Sequence, residues 1–180
     1  MMASNNYLGL TFDTRVIEGA LKGAQQYGTG SGGSRLVSGT FPLFTELERS
    51  LAKFKNTEKA LVFNTGYMAN VGTISAVADK NTIIFSDALN HASIIDGCRL
   101  SKASIKAYNH CDVEELKFIL KQADRSARKL IVTDGVFSMD GDIAPLDKLY
   151  KLSREYNALL MVDDAHATGT IGNGHGTAAY

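Results

Sequence analysis

From residue 59 onward, short apolar runs of strand type alternate with longer stretches of helical character, and that alternation constrains the fold more than any other feature. Ala60, Leu61, Val62 and Phe63 read as a first strand and residues 67–78 as a helix. Residues 82–85, 104–108 and 129–133 read as three further strands, with a helix over about 92–100 between the first two. Asp112 has Glu115 three positions on, the spacing of a capping box, which marks the next helix start. Pro145 stands where a first helical turn begins, and Leu146, Leu149, Leu152 and Tyr156 fall on one face of the helix after it. Residues 159–163 make the fifth strand. Strands joined by helical crossovers pair in parallel, so the spacing predicts an α/β chain with a mostly parallel sheet and flanking helices.

Residues 1–55 read as a separate helical segment and residues 56–180 as the α/β domain. Val16, Ile17, Ala20, Leu21 and Ala24 mark one amphipathic helix, and Phe44, Leu47, Leu51 and Phe54 mark another that starts at Pro42. Between them Gly28, Gly30 and Gly33 formally satisfy G-x-G-x-x-G. A dinucleotide site needs a strand before that motif and a helix directly after it. Here a helix precedes it and the next helix is expected only at Pro42, so the dinucleotide reading fails. A loop whose glycines let the backbone approach a substrate or a partner subunit fits better than a plain linker.

Lys and Arg total 19, Asp and Glu total 19, and the formal net charge is zero, which argues against electrostatic nucleic-acid binding. Cys98 and Cys111 form neither a disulfide framework nor a metal spacing, as expected of a reducing cytoplasm. Apolar residues make up 44% with two prolines, so the chain is globular, and no apolar run is long enough to span a membrane.

Ligands bind at the carboxyl ends of the strands in open α/β sheets, and four segments place reactive groups there. Asp163 ends the fifth strand and His166 follows it. An acid there can sit under a protonated ring nitrogen while an imidazole reaches a phenolic oxygen, which is what a pyridoxal phosphate site requires. Gly66 and Tyr67 open the first crossover helix, whose amides suit a phosphate and whose aromatic ring can stack on a ligand. His91 follows the second strand and either lies over a ring or caps the next helix. Ser138 offers a hydroxyl in the loop after the fourth strand, where Asp134, Asp140 and Asp142 supply charge. The acids around Gly141 lack the ligand series of a calcium loop, and Asp163, His166 and His91 lack a zinc-type helical spacing, so no metal is expected. No G-x-S-x-G elbow lies at a strand end, which sets aside a serine hydrolase.

In this order the motifs resemble those of the α-oxoamine synthases, fold-type I pyridoxal phosphate enzymes. The resemblance runs from Ser4-Asn5-Asn6-Tyr7-Leu8-Gly9-Leu10 to Gly174-His175-Gly176-Thr177, almost the whole chain, and its motifs are Asn6-Tyr7-Leu8-Gly9-Leu10, the glycine loop, Gly66-Tyr67, Asn90-His91-Ala92-Ser93, residues 135–141 and Asp163-Asp164-Ala165-His166. It implies the large domain of such an enzyme, incomplete in this chain. Gly66 and Tyr67 are then expected to hold the phosphate of pyridoxal 5'-phosphate, and His91 to stack on its ring and serve substrate proton transfers. Asp163 is expected to pair with the ring nitrogen, and Ser138 and His166 to hydrogen-bond the ring hydroxyl oxygen. Asn6 and the glycine loop, with Ser31, are expected near the substrate carboxylate and acyl donor, partly across a homodimer interface. The family reaction condenses an amino acid with an acyl thioester and releases carbon dioxide. Residues 163–169 look most like the member that uses L-alanine and a pimeloyl thioester in biotin synthesis, with glycine-using relatives as the alternative.

Two departures accompany the resemblance. Asp134 stands where the family pattern has glutamate. The Schiff-base lysine implied beyond the last strand has no counterpart here, nor does a small carboxy-terminal domain, so the expectation is a piece of an enzyme, inactive by itself and with apolar surface exposed. Competing expectations are another fold-type I enzyme, such as an aminotransferase, or a non-catalytic shortened paralogue that binds a longer partner.

Overall fold

The computed structural model describes residues 4–179, which fall into two compact units that divide between Val62 and Phe63. Among the described residues, the first unit has a short 3-10 turn (Leu10–Phe12) and three α-helices: α1 (Thr14–Tyr27), α2 (Arg35–Ser38) and α3 (Pro42–Lys55). Asp13 caps α1 by accepting from the Arg15 amide at 2.9 Å. The apolar stripe expected on that helix forms but is uncovered, since Val16, Ile17 and Leu21 are exposed. Pro42 opens α3, where its missing N–H is no loss, and the helix ends at Asn56 in the left-handed region, φ 52°. The single turn of α2 was not expected in the glycine loop. Ser34 supplies its cap, and the Arg35 guanidinium pairs with Glu48 on α3, lying 5.3 Å above the Phe44 ring.

The strand expected over residues 60–63 is absent. A strand exists only by pairing backbone with a neighbour, and here the Val62 amide donates instead to the Glu48 carboxylate at 3.0 Å.

The second unit is built on four strands, and its elements run α4 (Gly66–Val77), β1 (Thr82–Asp87), α5 (Ala92–Leu100), β2 (Ser104–Tyr108), α6 (Val113–Gln122), β3 (Arg128–Asp134), α7 (Leu146–Glu155) and β4 (Ala158–Asp163). The sheet order is β2-β1-β3-β4 and every pairing is parallel. Strand side chains alternate between faces, and two cores follow from that alternation. Ile84, Leu130 and Val132 pack with Ile74, Ala78, Ile94 and Cys98 from the side of α4 and α5. Phe85 and Ile131 pack with Leu116, Leu120, Leu149 and Leu152 from α6 and α7 on the other face. Each buried Val, Leu, Ile or Phe among them contributes about 1.5–3 kcal/mol of transfer free energy, so the two cores flanking the sheet centre hold the unit together.

Two helix starts differ in detail from expectation. Asp112 caps α6 by accepting from the Glu115 amide at 2.9 Å. The Glu115 carboxylate, however, accepts from the Asn109 amide at 2.7 Å rather than from Asp112, because the Asp112 amide is already turned to the Asn109 carbonyl. Pro145 sits one position before α7, and its carbonyl accepts from the amides of Lys148 and Leu149.

Candidate active site

From β1 the chain crosses to β2, whereas from β3 it crosses to β4 in the opposite direction. The carboxyl ends of neighbouring strands β1 and β3 are therefore a topological switch point, where a crevice opens in sheets of this kind. It is lined by Gly66, Tyr67 and Asn70 from α4, His91 and Ser93 at the start of α5, Asp134 and Ser138 after β3, and Asp163, Ala165 and His166 after β4. All six residues expected to contact the cofactor, Gly66, Tyr67, His91, Ser138, Asp163 and His166, thus meet in one place. Asn6 and Ser31 belong to the first unit. There the Asn6 side-chain oxygen accepts from the Thr11 amide at 3.3 Å, and Ser31 is exposed.

Asp163 is held at both oxygens. One accepts from the Ala165 amide at 3.0 Å and the other from the Asn70 side-chain amide at 2.6 Å. Its neighbour in register across the sheet is Asp134. At the other wall Thr65 caps α4 by accepting from the Met68 amide, while the Gly66 and Tyr67 amides have no acceptor within the helix. Those two amides suit an anion at the positive helix end. The Tyr67 hydroxyl donates to Asp96 on α5, which anchors the ring and raises its pKa.

His91 caps the helix after it and also lines the crevice. Its Nδ1 caps α5 by accepting from the Ser93 amide at 3.2 Å, and the ring borders the crevice. Its backbone amide donates to Asp134 at 2.7 Å. Asp134, the departure from the family pattern, is buried, and burial raises its carboxyl to about 6. The His91 amide opposes that rise and the nearby Asp163 adds to it. The crevice therefore contains an acid that titrates near neutrality.

Ser138 rides on a loop closed by the Val136–Ile143 bridge and by the Phe137 amide donating to the Asp142 carbonyl at 3.0 Å. Gly141 turns that loop with φ 77°. His110 ties the loop to the sheet: Nδ1 lies 3.0 Å from Asp87 at the end of β1 and Nε2 lies 2.7 Å from Asp142. Burial lowers its pKa, but the two carboxylates outweigh that and raise it. Asp87, His110 and Cys111 also lie close enough to share a metal ion. With a carboxylate already on each ring nitrogen, the cluster is closed as an ion-paired bridge.

Asn70, Ser93 and the Asp87–His110–Asp142 bridge were not singled out from sequence. An asparagine inside an otherwise apolar helical run was the available signal for Asn70, since such a residue competes with the backbone unless its side chain is engaged elsewhere. For the other residues the partners lie far apart in sequence and no local pattern marks them.

A parallel sheet with helices on both faces, and two acids, two imidazoles, two serine hydroxyls and a helix N-terminus gathered at its switch point, make an α/β protein whose crevice suits a planar, phosphate-bearing ligand. Comparison with known proteins agrees. The chain belongs to the aminotransferase class I and II family, whose sequence profile matches residues 1–179. It is 57% identical over 181 residues to an 8-amino-7-oxononanoate synthase from Lysinibacillus sphaericus, covering 100% of this chain and 46% of that one. Among solved structures, a serine palmitoyltransferase from S. paucimobilis with bound PLP and myriocin superposes with a TM-score of 0.93 at 42% identity, covering 97% of this chain and 44% of the other. The 8-amino-7-oxononanoate synthase of Francisella tularensis superposes with a TM-score of 0.82 at 35% identity, covering 97% and 48%. These likenesses bear out the resemblance to the α-oxoamine synthases. The chain spans a little under half the length of the curated relatives it matches. Among the described residues no helix is long and apolar enough to cross a membrane.

Proposed function

We propose that this chain carries the cofactor-binding part of a pyridoxal phosphate-dependent acyltransferase that makes 8-amino-7-oxononanoate, a step in biotin synthesis, from L-alanine and a pimeloyl thioester. The observation that carries the reading is the convergence of Gly66, Tyr67, His91, Ser138, Asp163 and His166 on one crevice, in a chain 57% identical to a protein of that name. The donor set fits the cofactor: amides for its phosphate, a carboxylate for its ring nitrogen, a hydroxyl and an imidazole for its ring oxygen.

Pyridoxal phosphate supplies an electron sink to the carbon being deprotonated, provided that the ring nitrogen stays protonated. In this account Asp163, fixed by Asn70 and Ala165, holds that proton in place. The Gly66 and Tyr67 amides bind and orient the phosphate. Ser138 and His166 would hold the ring through its hydroxyl oxygen, and His91 would contact the ring and exchange protons with the substrate. Asn6 and Ser31 of the first unit are assigned to the substrate carboxylate and the acyl donor. The working enzyme is proposed to be a cytoplasmic homodimer. The 180-residue chain alone is expected to make no product.

The serine palmitoyltransferase likeness favours one second reading, a related synthase acting on a different amino acid. Titration with phosphopyridoxyl-L-alanine and its serine and glycine counterparts tests both. Tightest binding of the alanine conjugate supports the proposal, preference for another conjugate supports the second reading, and binding of none overturns both.

A further inference from the structure

Four side chains form a continuous line across the floor of the crevice. The Asn70 side-chain nitrogen lies 2.6 Å from Asp163 and 2.8 Å from the Ser93 hydroxyl, and that hydroxyl lies 2.7 Å from Nδ1 of His91. Asn70 is 6% exposed and Ser93 is 1% exposed, so the middle of the line, the Asn70–Ser93 contact, is buried. Directions follow from what each group can do. A carboxylate only accepts, so Asn70 turns its NH2 toward Asp163, and the second proton of that NH2 goes to Ser93. The Ser93 hydroxyl, already an acceptor, has its own proton left for His91.

A second donor reaches the same ring atom. The Ser93 backbone amide lies 3.2 Å from Nδ1, and unlike a hydroxyl it cannot turn away. A proton on Nδ1 would face that fixed N–H directly. We propose that Asn70 and Ser93 are positioning residues that fix His91 in the tautomer with Nδ1 as acceptor and the ring proton on Nε2, and so couple His91 to Asp163 across the crevice. Nε2 is then the ring nitrogen that exchanges protons with a ligand, while Nδ1 is occupied by the protein. The catalytic consequence rests on the proposed cofactor reading. The proton placement does not.

The test uses the chain labelled with 15N in its histidine rings and free of added ligand. His91 is assigned among the four histidines by the signal lost in H91Q. In the native sequence Nδ1 of His91 is expected at the unprotonated position and Nε2 at the protonated one, with at least about a tenfold excess of that tautomer. S93A and N70A are expected to move the Nδ1 signal toward the protonated value, and S93T to restore it, with the other three histidines unshifted. A ring proton found on Nδ1 in the native chain overturns the proposal even if no variant folds. So does a His91 signal identical in native, S93A and N70A chains. A chain with the expected tautomer that takes up no pyridoxal phosphate refutes the cofactor reading and leaves this one standing.

Discussion

Gly97 lies where α5 packs against α4, and replacing it with alanine sets two effects of opposite sign against each other. On an isolated helix the change stabilises by about 1 kcal/mol. Here a Cβ at Gly97 meets Ile74 Cδ1 at 3.0 Å, the Asn70 carbonyl oxygen at 3.2 Å and Val71 Cα at 3.2 Å. Two of those atoms belong to the α4 backbone, and Ile74 is fully buried, so none can swing aside. Overpacking of this sort costs about 1–3 kcal/mol, and the net expectation for G97A is a loss of about 1 kcal/mol. The helices must separate by a few tenths of an ångström, which lengthens the 2.8 Å contact between Asn70 on α4 and Ser93 on α5. Urea unfolding of both chains reads the first effect as a lowered midpoint at unchanged slope, and the His91 ring signals read the second. A G97A chain stabilised by about 1 kcal/mol, as propensity alone demands, refutes the argument that close helix approach holds this floor together.

Three further outcomes follow from the charges. Asp134 is raised to about 6 by burial, so its folded form binds a proton more tightly than its unfolded form, whose value is about 4. Its contribution is therefore fully present below about pH 4 and declines as pH rises through about 6, by on the order of 3 kcal/mol; D134N should lack that decline in a pH series of unfolding curves. His110 is raised by Asp87 and Asp142, so its bridge stabilises below the ordinary histidine value of about 6.5 and that gain is lost as pH rises through the higher folded value. The ring is a quarter exposed, so the gap between native and H110Q stabilities should be about 1 kcal/mol at pH 5 and close at high pH. D163N should weaken pyridoxal phosphate binding at least tenfold by calorimetry, since an amide offers the ring nitrogen no charge, whereas loss of the exposed Asp140 carboxylate in D140N should change it little.

The alternation of strand and helix was legible because caps and apolar periodicity mark the crossover helices locally and leave short apolar runs between them. Residues 92–100 and 104–108 form their expected elements to the residue. Residues 60–63 carried the same strand chemistry, yet strand identity depends on a partner, and a carboxylate from α3 claims the Val62 amide instead. Acids at strand ends could be read directly at Asp163 and, as a charge of unknown role, at Asp134. The links between them could not, because Asn70 reaches a carboxylate 93 positions away and His110 bridges residues 23 and 32 positions away. Those contacts exist only once β1, β3 and β4 lie side by side.

Titration of the chain with pyridoxal 5'-phosphate, followed by calorimetry and by the phosphorus resonance of the cofactor, tests the central claim most directly. Saturable one-to-one binding that is weakened in D163N and in H91A, with the phosphorus signal shifted on binding, is the predicted result. A native chain that binds no cofactor, or binds it equally well without the Asp163 carboxylate and the His91 ring, contradicts the account.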